Sequence, residues 1–326
     1  MIGCGGMSRY HGRIFTTQVP DAEIVALCDT APDNLQRYQR EIFDPVQQKP
    51  ATFADYREML KKVKLDGVVI VTPHAHHFEQ TVAALDAGCH VLVEKPMVVS
   101  VEQARRLIDH VQKKQRVVSL AFPGPFSGEF VYVRGLLGRG EFGQILQLDA
   151  FVAQNWRGLT ANTWRQDPVL AGGGQAYDTG AHLFNTILYL TNLRPVEVIA
   201  WCDNRGTAVD VNTVAMIRFD NGALATACVG GDGACGWDSQ VFISGTTASA
   251  RVGIHGGYLK HWNAKGEEVR YPHVPIVPSL QQNFVDCIGG RGQTLCPPIW
   301  GLRQALLMEA LYESARTGKL TKVAPE

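Results

Sequence analysis

The sequence has no surplus of charge of either sign. Its 31 Lys and Arg balance 31 Asp and Glu, and charged residues make up only 19% of the 326. A nucleic-acid binder needs a basic surplus to neutralise phosphates, and a polybasic membrane patch needs clustered cations; neither is present. No apolar run approaches the roughly 20 residues that span a bilayer. No secretory leader is read at the front, where glycines lead directly into a helix pattern. The eight cysteines, at positions 4, 28, 89, 202, 228, 235, 287 and 296, are scattered without a C-x-x-C pair. That spacing reads as reduced, mostly buried thiols rather than a disulfide framework. Internal repeats and low-complexity tracts are missing too. These absences predict a cytoplasmic protein with no nucleic-acid or membrane partner.

What is present is apolar: 45% of residues, enough for a core in each of two domains, as the length suggests. The first third alternates strand and helix signals. Strands are expected over 23–29, 66–71, 90–94 and 117–121, with helices over 33–42, 55–60, 77–87 and 100–113. Gly88 follows one helix as a C-terminal stop, and Ser100 caps the next with Gln103 behind it. This alternation implies right-handed βαβ units and a mostly parallel sheet. The pattern changes after Pro123-Gly124-Pro125. A helix over 130–137 is followed by a strand from Ile145 whose alternation runs on toward Trp156. Further strands are expected over 196–202, 211–219, 223–229 and 240–244, two of them joined by the hairpin signal Asn221-Gly222. Successive strands with tight turns mean an antiparallel sheet, one face covered and the other open or used in assembly. A last helix over 298–317 closes at Gly318.

Three segments carry chemistry. Gly3-x-Gly5-x-x-Ser8 approximates a dinucleotide-binding turn: one glycine for the tight bend, one for close approach of a pyrophosphate to a helix N-terminus. Ser8 stands where a small residue usually eases helix–strand packing. Only Met1-Ile2 precede this turn, although the fold wants a buried strand of about five residues there; the start is truncated or that strand is very short. Asp29 ends the second strand, where an acid accepts the ribose hydroxyls, and Thr30-Ala31-Pro32-Asp33 offers no cation for a 2′-phosphate. NAD is therefore expected over NADP. Thr72-Pro73-His74-Ala75-His76-His77 follows a strand at the carboxyl edge of the sheet. The histidines lack acidic or cysteine partners at suitable spacing, so no metal is expected. Thr72, Pro73 and His77 are instead placed beside the nicotinamide, with His74 and His76 solvated. Glu94-Lys95-Pro96 ends another strand on the same edge, where the Lys95 ammonium can hydrogen-bond a substrate hydroxyl.

The third segment is Gly172-Gly173-Gly174 followed by Asp178 and His182. The last two are i and i+4, hence neighbours on one helix face. An imidazole near a hydroxyl can take its proton as hydride leaves, while the carboxylate fixes its tautomer. The glycines permit close approach of a ligand or cofactor. Trp164 and Arg165, just ahead, can offer a polyol an apolar face and hydrogen-bond donors.

Together these segments resemble the Gfo/Idh/MocA family of glucose–fructose oxidoreductase and inositol dehydrogenase-like proteins. The residues that carry the resemblance are Gly3-Cys4-Gly5-Gly6-Met7 with His11, Asp29, Thr72-Pro73 with His77, Ala87-Gly88 through Glu94-Lys95-Pro96, Trp164-Arg165, and Gly172 through Asp178 to His182. The resemblance implies a Rossmann domain over 1–121 and a substrate-binding and oligomerisation domain over 122–297, built on an open-faced antiparallel sheet. It also implies that the last helix, 298–318, packs back on the first domain. Gly3, Gly5, Gly6, Met7, Asp29, Thr72, Pro73, His77, Glu94 and Lys95 would hold NAD. Lys95, Asp178 and His182 look like a catalytic trio that also binds substrate with Trp164 and Arg165. Homodimers or homotetramers through the sheet are implied as well. Ala121 through Phe126 and Asn185 depart from the family pattern, which bears on substrate identity.

The resulting expectation is an NAD-dependent oxidoreductase acting on a secondary hydroxyl of a sugar, polyol or cyclitol. Two rivals use the same residues. One is a lyase or glycoside-cleaving enzyme with transient oxidation by bound NAD; the other is a non-enzymatic NAD(H)-sensing regulator.

Overall fold

Continuous apolar runs in the first third become short strands buried on both faces, as parallel strands must be. In the computed structural model, which describes all residues except Cys235, Tyr271 and Pro272, the chain divides into two units. The first comprises Met1–Val98, Glu102–Ala121 and Pro278–Pro298; the second comprises Val99–Val101, Phe122–Val277 and Ile299–Glu326.

The first unit runs α1 (Gly6–Gln18), β1 (Ala26–Cys28), α2 (Pro32–Tyr38), β2 (Ala51–Phe53), α3 (Tyr56–Lys62), β3 (Gly67–Ile70), α4 (His77–Asp86), β4 (His90–Val93), α5 (Val101–Lys114) and β5 (Val118–Leu120). β1 pairs with β2, and β3, β4 and β5 follow one another, all in parallel. Ile2 joins the two groups, bridging Cys28 on one side and Ile70 on the other. Its amide donates to Val69 O and its carbonyl accepts from Val71 N, both at 2.8 Å. Ahead of the glycine turn the sheet is thus joined by a single bridging residue. Val91, Leu92 and Val93 are fully buried at the centre.

The second unit adds α6 (Gly128–Gly138), β6 (Ile145–Ala153), α7 (Trp156–Leu159), α8 (Pro168–Ala171), α9 (Gly180–Thr191), β7 (Pro195–Asp203), β8 (Asn212–Phe219), β9 (Leu224–Gly230), β10 (Asp238–Gly245), β11 (Ala248–Val252) and β12 (Leu259–Asn263). After α10 (Leu280–Ile288), which belongs to the first unit, come α11 (Ile299–Thr317) and β13 (Thr321–Lys322). One eight-stranded sheet has the order β12-β11-β10-β6-β9-β8-β7-β13. All its neighbours are antiparallel except β6 and β9. Strict alternation in β8 and β9 buries Thr213, Ala215, Ile217, Ala225, Ala227 and Val229 and leaves the residues between them exposed. Strand β6 stops at Ala153, short of Trp156, which opens a brief helix instead.

α11 packs on β7 and α9 of the second unit, and Ala200 N donates to Ser314 Oγ at 3.0 Å. Strand β13 then pairs directly with β7, which ties the helix to that sheet. α10 packs within the Rossmann unit. Its Phe284 and Ile288 lie against Gly67, and Gln281 reaches His11. Sequence reading found neither α10 nor strands β11 and β12.

Candidate active site

Gly3 is required by its backbone. Its φ is +84°, and a Cβ there would collide with Val71 O. Gly5 and Gly6 are different: added Cβ atoms would meet nothing within 4 Å. They open α1, whose first turn carries no acid and whose N-cap has no side-chain partner. Its first amides are therefore left without a side-chain cap, with Met7 exposed beside them. Ser8 is fully buried, and one turn on Gly12 admits the Tyr38 hydroxyl. Tyr38 donates in turn to Ser8 O at 3.0 Å.

Asp29 follows β1 directly. Its carboxylate accepts from Cys4 N at 2.7 Å, Ala31 N at 2.8 Å and Asn34 Nδ2 at 3.2 Å. One acid thus joins the glycine turn to the start of α2.

The ends of β3 and β4 are tied together by an imidazole. His77 is fully buried. Its Nδ1 lies 2.8 Å from Pro96 O and its Nε2 2.9 Å from Thr72 O. Burial holds its pKa below the usual value, the two carbonyls opposing only in part. His77 therefore braces the Thr72 and Pro96 backbones. His74, expected in solvent, is also buried, 5.8 Å ring to ring from His77. Thr72 Oγ1 donates to Gln80 Oε1 at 2.6 Å, next to a partly exposed Pro73.

Glu94 likewise turns inward. It is 7% exposed, its Oε1 lies 2.9 Å from His11 Nε2, and Oε2 accepts from Lys95 N at 3.1 Å. Burial pushes this carboxyl up, but His11 and the Lys95 charge and amide outweigh it, so the net shift is downward. Gln281 Nε2 lies 2.8 Å from His11 Nδ1, which fixes the imidazole from its other side. Glu94 thus orients the end of β4. Lys95 stands at that end, partly exposed, with a cis peptide to Pro96.

In the second unit, Asp178 lies ahead of α9, not on it. It occupies the turn from Gly174, to whose carbonyl its amide donates at 2.9 Å, while α9 starts at Gly180. The expected shared helix face is therefore replaced by a turn leading into a helix. The Asp178 carboxylate is 6% exposed. Its Oδ2 accepts from Trp156 Nε1 at 2.9 Å and Arg165 Nε at 3.1 Å. The Arg165 guanidinium in turn covers the Trp164 ring at 4.5 Å. Trp164, Arg165 and Asp178, picked out separately in the sequence, form one cluster, and Trp156 completes it.

The three glycines serve packing rather than a ligand. A Cβ on Gly172 would strike Val99 at 2.6 Å, one on Gly173 would strike Tyr177 and Tyr312, and one on Gly174 would overlap the Asp210 backbone. Asp210 was not singled out by sequence, because nothing in its spacing marks it. Yet its buried carboxylate accepts from Gly174 N at 2.7 Å, Ala176 N at 2.8 Å, Tyr312 Oη at 2.7 Å and Thr213 Oγ1 at 3.3 Å. It sets the turn that delivers Asp178. His182, on the first turn of α9, meets Phe122 edge-on at 5.8 Å and His255 edge-on at 4.4 Å. Lys95 and His182 belong to different units. Among the described residues no three His, Cys, Asp or Glu side chains group as a metal site.

The comparisons fit this layout. Residues 1–122 match the oxidoreductase family with an NAD-binding Rossmann fold, and residues 130–251 match the GFO/IDH/MocA C-terminal domain. The chain belongs to the GFO/IDH/MocA oxidoreductase family. It is similar to the D-glucoside 3-dehydrogenase of Escherichia coli K12, 29% identical over 61% of this chain and 55% of that protein. It is similar to the D-xylose 1-dehydrogenase (NADP+) of Hypocrea jecorina, 30% identical over 52% of this chain and 46% of that one. The match thus spans about half the length of these two relatives. The WlbA dehydrogenase of Bordetella pertussis, solved with NADH and UDP-GlcNAcA, has the same fold. Its TM-score is 0.85 at 22% identity, over 100% of this chain and 98% of that one.

Proposed function

We propose that this protein is an NAD-dependent oxidoreductase acting on a secondary hydroxyl of a sugar, polyol or cyclitol. What carries the reading is membership of an oxidoreductase family across both units, in a chain that has Lys95, Asp178 and His182 where the family resemblance places its catalytic groups. A bound nicotinamide would supply the hydride acceptor. The residues present fit it: open space at Gly5 and Gly6, an uncapped helix start, and Asp29 at the end of β1. The absence of a cation from Thr30 to Asp33 supports NAD over NADP.

In this reading Lys95 donates a hydrogen bond to the alcohol oxygen and favours its deprotonated form. His182 takes the hydroxyl proton. Asp178, held by Trp156 and Arg165, keeps a fixed negative charge one turn ahead of His182. Glu94 and His77 hold the segment that presents Lys95. An apolar row on the open sheet face supports a homodimer or homotetramer. Trp201, Val214, Cys228 and Phe151 lie side by side across β7, β8, β9 and β6, and the first three are exposed.

The test is an assay with NAD and NADP against monosaccharides, anhydrosugars and inositols, followed at the absorbance of the reduced cofactor. Net NADH formation is expected, with NAD preferred. Lys95→Ala should lower turnover at least about tenfold and His182→Ala about a hundredfold or more. Product formation without net NADH would replace the reading by a redox-neutral one.

A further inference from the structure

His182 is the inner member of a chain of rings that runs to the surface of the second unit. Phe122, 1% exposed, meets it edge-on from one side. From another side comes His255, 4.4 Å away at 82°. Trp237 then stacks on His255 at 5.0 Å and 21°. His255 is exposed, and Trp237 keeps 49% of its surface in solvent.

The loop that carries His255 is built to hold it there. Ile254, just before it, is buried, and its carbonyl accepts from Thr186 Oγ1 of α9 at 3.4 Å, one turn beyond His182. Gly256, just after it, has φ of +80°, and a Cβ there would collide with Ser127. The backbone is thus anchored on both sides of His255, and the indole stacks on the imidazole it carries. Such a pair offers an apolar face at small ordering cost. Trp201 shows that exposure alone says nothing, because it belongs to the apolar row of the sheet. Trp237 lies outside that row, on the segment entering β10, and its ring stacks on the imidazole that leads to His182.

We propose that Trp237 and His255 form an aromatic subsite for a second ring attached to the sugar, so that the preferred substrate is a glycoside such as a disaccharide. This rests on His182 being the base that serves the reacting hydroxyl. The indole lies two ring contacts out from that imidazole, a place for the neighbouring ring rather than the one being oxidised. The C–H face of a pyranose packs on an indole without needing charge.

The experiment compares disaccharides (cellobiose, maltose, trehalose) with glucose, in steady-state kinetics and by tryptophan emission. Wild-type protein should favour at least one disaccharide in KM, and that sugar should change the emission saturably. Trp237→Ala should raise its KM about three- to tenfold, more than it lowers kcat, and abolish the emission change. Trp237→Phe keeps a ring and should restore most of the preference, whereas Trp237→Leu keeps only bulk and should not. His255→Ala should mimic Trp237→Ala, and the double variant should lose little more than either single one, because the two rings act as a stack. Equal KM and emission for disaccharides and glucose, or a preference that survives in Trp237→Leu, overturns the subsite. Wild-type protein that oxidises no sugar but shows the Trp237-dependent emission change sinks the oxidoreductase reading and keeps the subsite.

Discussion

Asp210 receives four hydrogen bonds, from two backbone amides, a phenol and a hydroxyl, and is itself 5% exposed. A buried carboxylate so fully partnered is stable only while each donor stays. Tyr312 is a dependable donor, because burial drives its phenol well above the usual pKa, with the Asp210 charge adding to the effect. Tyr312→Phe should therefore lower unfolding stability by about 1.5–3 kcal/mol, the worth of a hydrogen bond to a charged group. Urea melts of the two proteins measure it; an unchanged midpoint would show that the phenol is dispensable. The glycine triplet beside Asp210 illustrates how sequence misleads at this scale. Gly172-Gly173-Gly174 invites a ligand on the page, yet its missing side chains make room for Val99, Tyr312 and the Asp210 backbone. Only coordinates distinguish a gap left for a ligand from one filled by the protein.

At the scale of elements, the strand ends of the first unit are held by two buried titrating side chains that respond to acid in the same direction. His77 has a lowered pKa, so the folded protein binds fewer protons than the unfolded chain as pH falls below the usual 6.5. Stability then declines through that window. Glu94 also has a lowered pKa, so its contribution is present above the usual 4.5 and lost as pH falls through its folded value. Chemical unfolding from pH 8 to 3 should show stability falling in both windows, with Glu94→Gln flattening the lower and His77→Gln the upper. A profile unaltered by either substitution would contradict this account.

The elements themselves were largely legible. Strands such as Val91–Val93 announce themselves by unbroken apolar runs, and β8 and β9 by strict alternation around Asn221-Gly222. Strands β11 and β12 were hidden because Ser249, Arg251, Lys260 and His261 interrupt any run. Asp178 was misplaced on α9 because an i, i+4 spacing fits a helix and an irregular turn equally well. Of the site, Trp164, Arg165 and Asp178 were found individually, but Trp156, Asp210 and the His255–Trp237 pair come together only through tertiary contacts.

For the whole molecule, the two faces of the large sheet differ sharply. One is covered by α9 and α11; the other presents Trp201, Val214, Met216 and Leu224, between 46% and 56% exposed. If this face joins two copies, Val214→Asp should shift sedimentation toward monomer, since an unpaired carboxylate in an apolar interface carries a heavy desolvation cost. Cys228, opposite Val214 in the register, should then label with a thiol reagent faster in the variant. Cys4 and Cys28 should stay unlabelled in both, because burial pushes their thiols up to about 12 and about 11. A wild-type monomer whose Cys228 reacts at once would leave the face without a self-partner.

The sheet also has a timing problem during synthesis. β6 is the first of its eight strands to leave the ribosome, yet it ends between β9 and β10, parallel to one and antiparallel to the other. Its first edge can pair only once β9 has emerged at about Gly230, and both edges are satisfied only when β10 is complete at about Gly245. For that interval an apolar strand is available to any other nascent or unfolded chain, which makes it the segment where chaperone protection counts most.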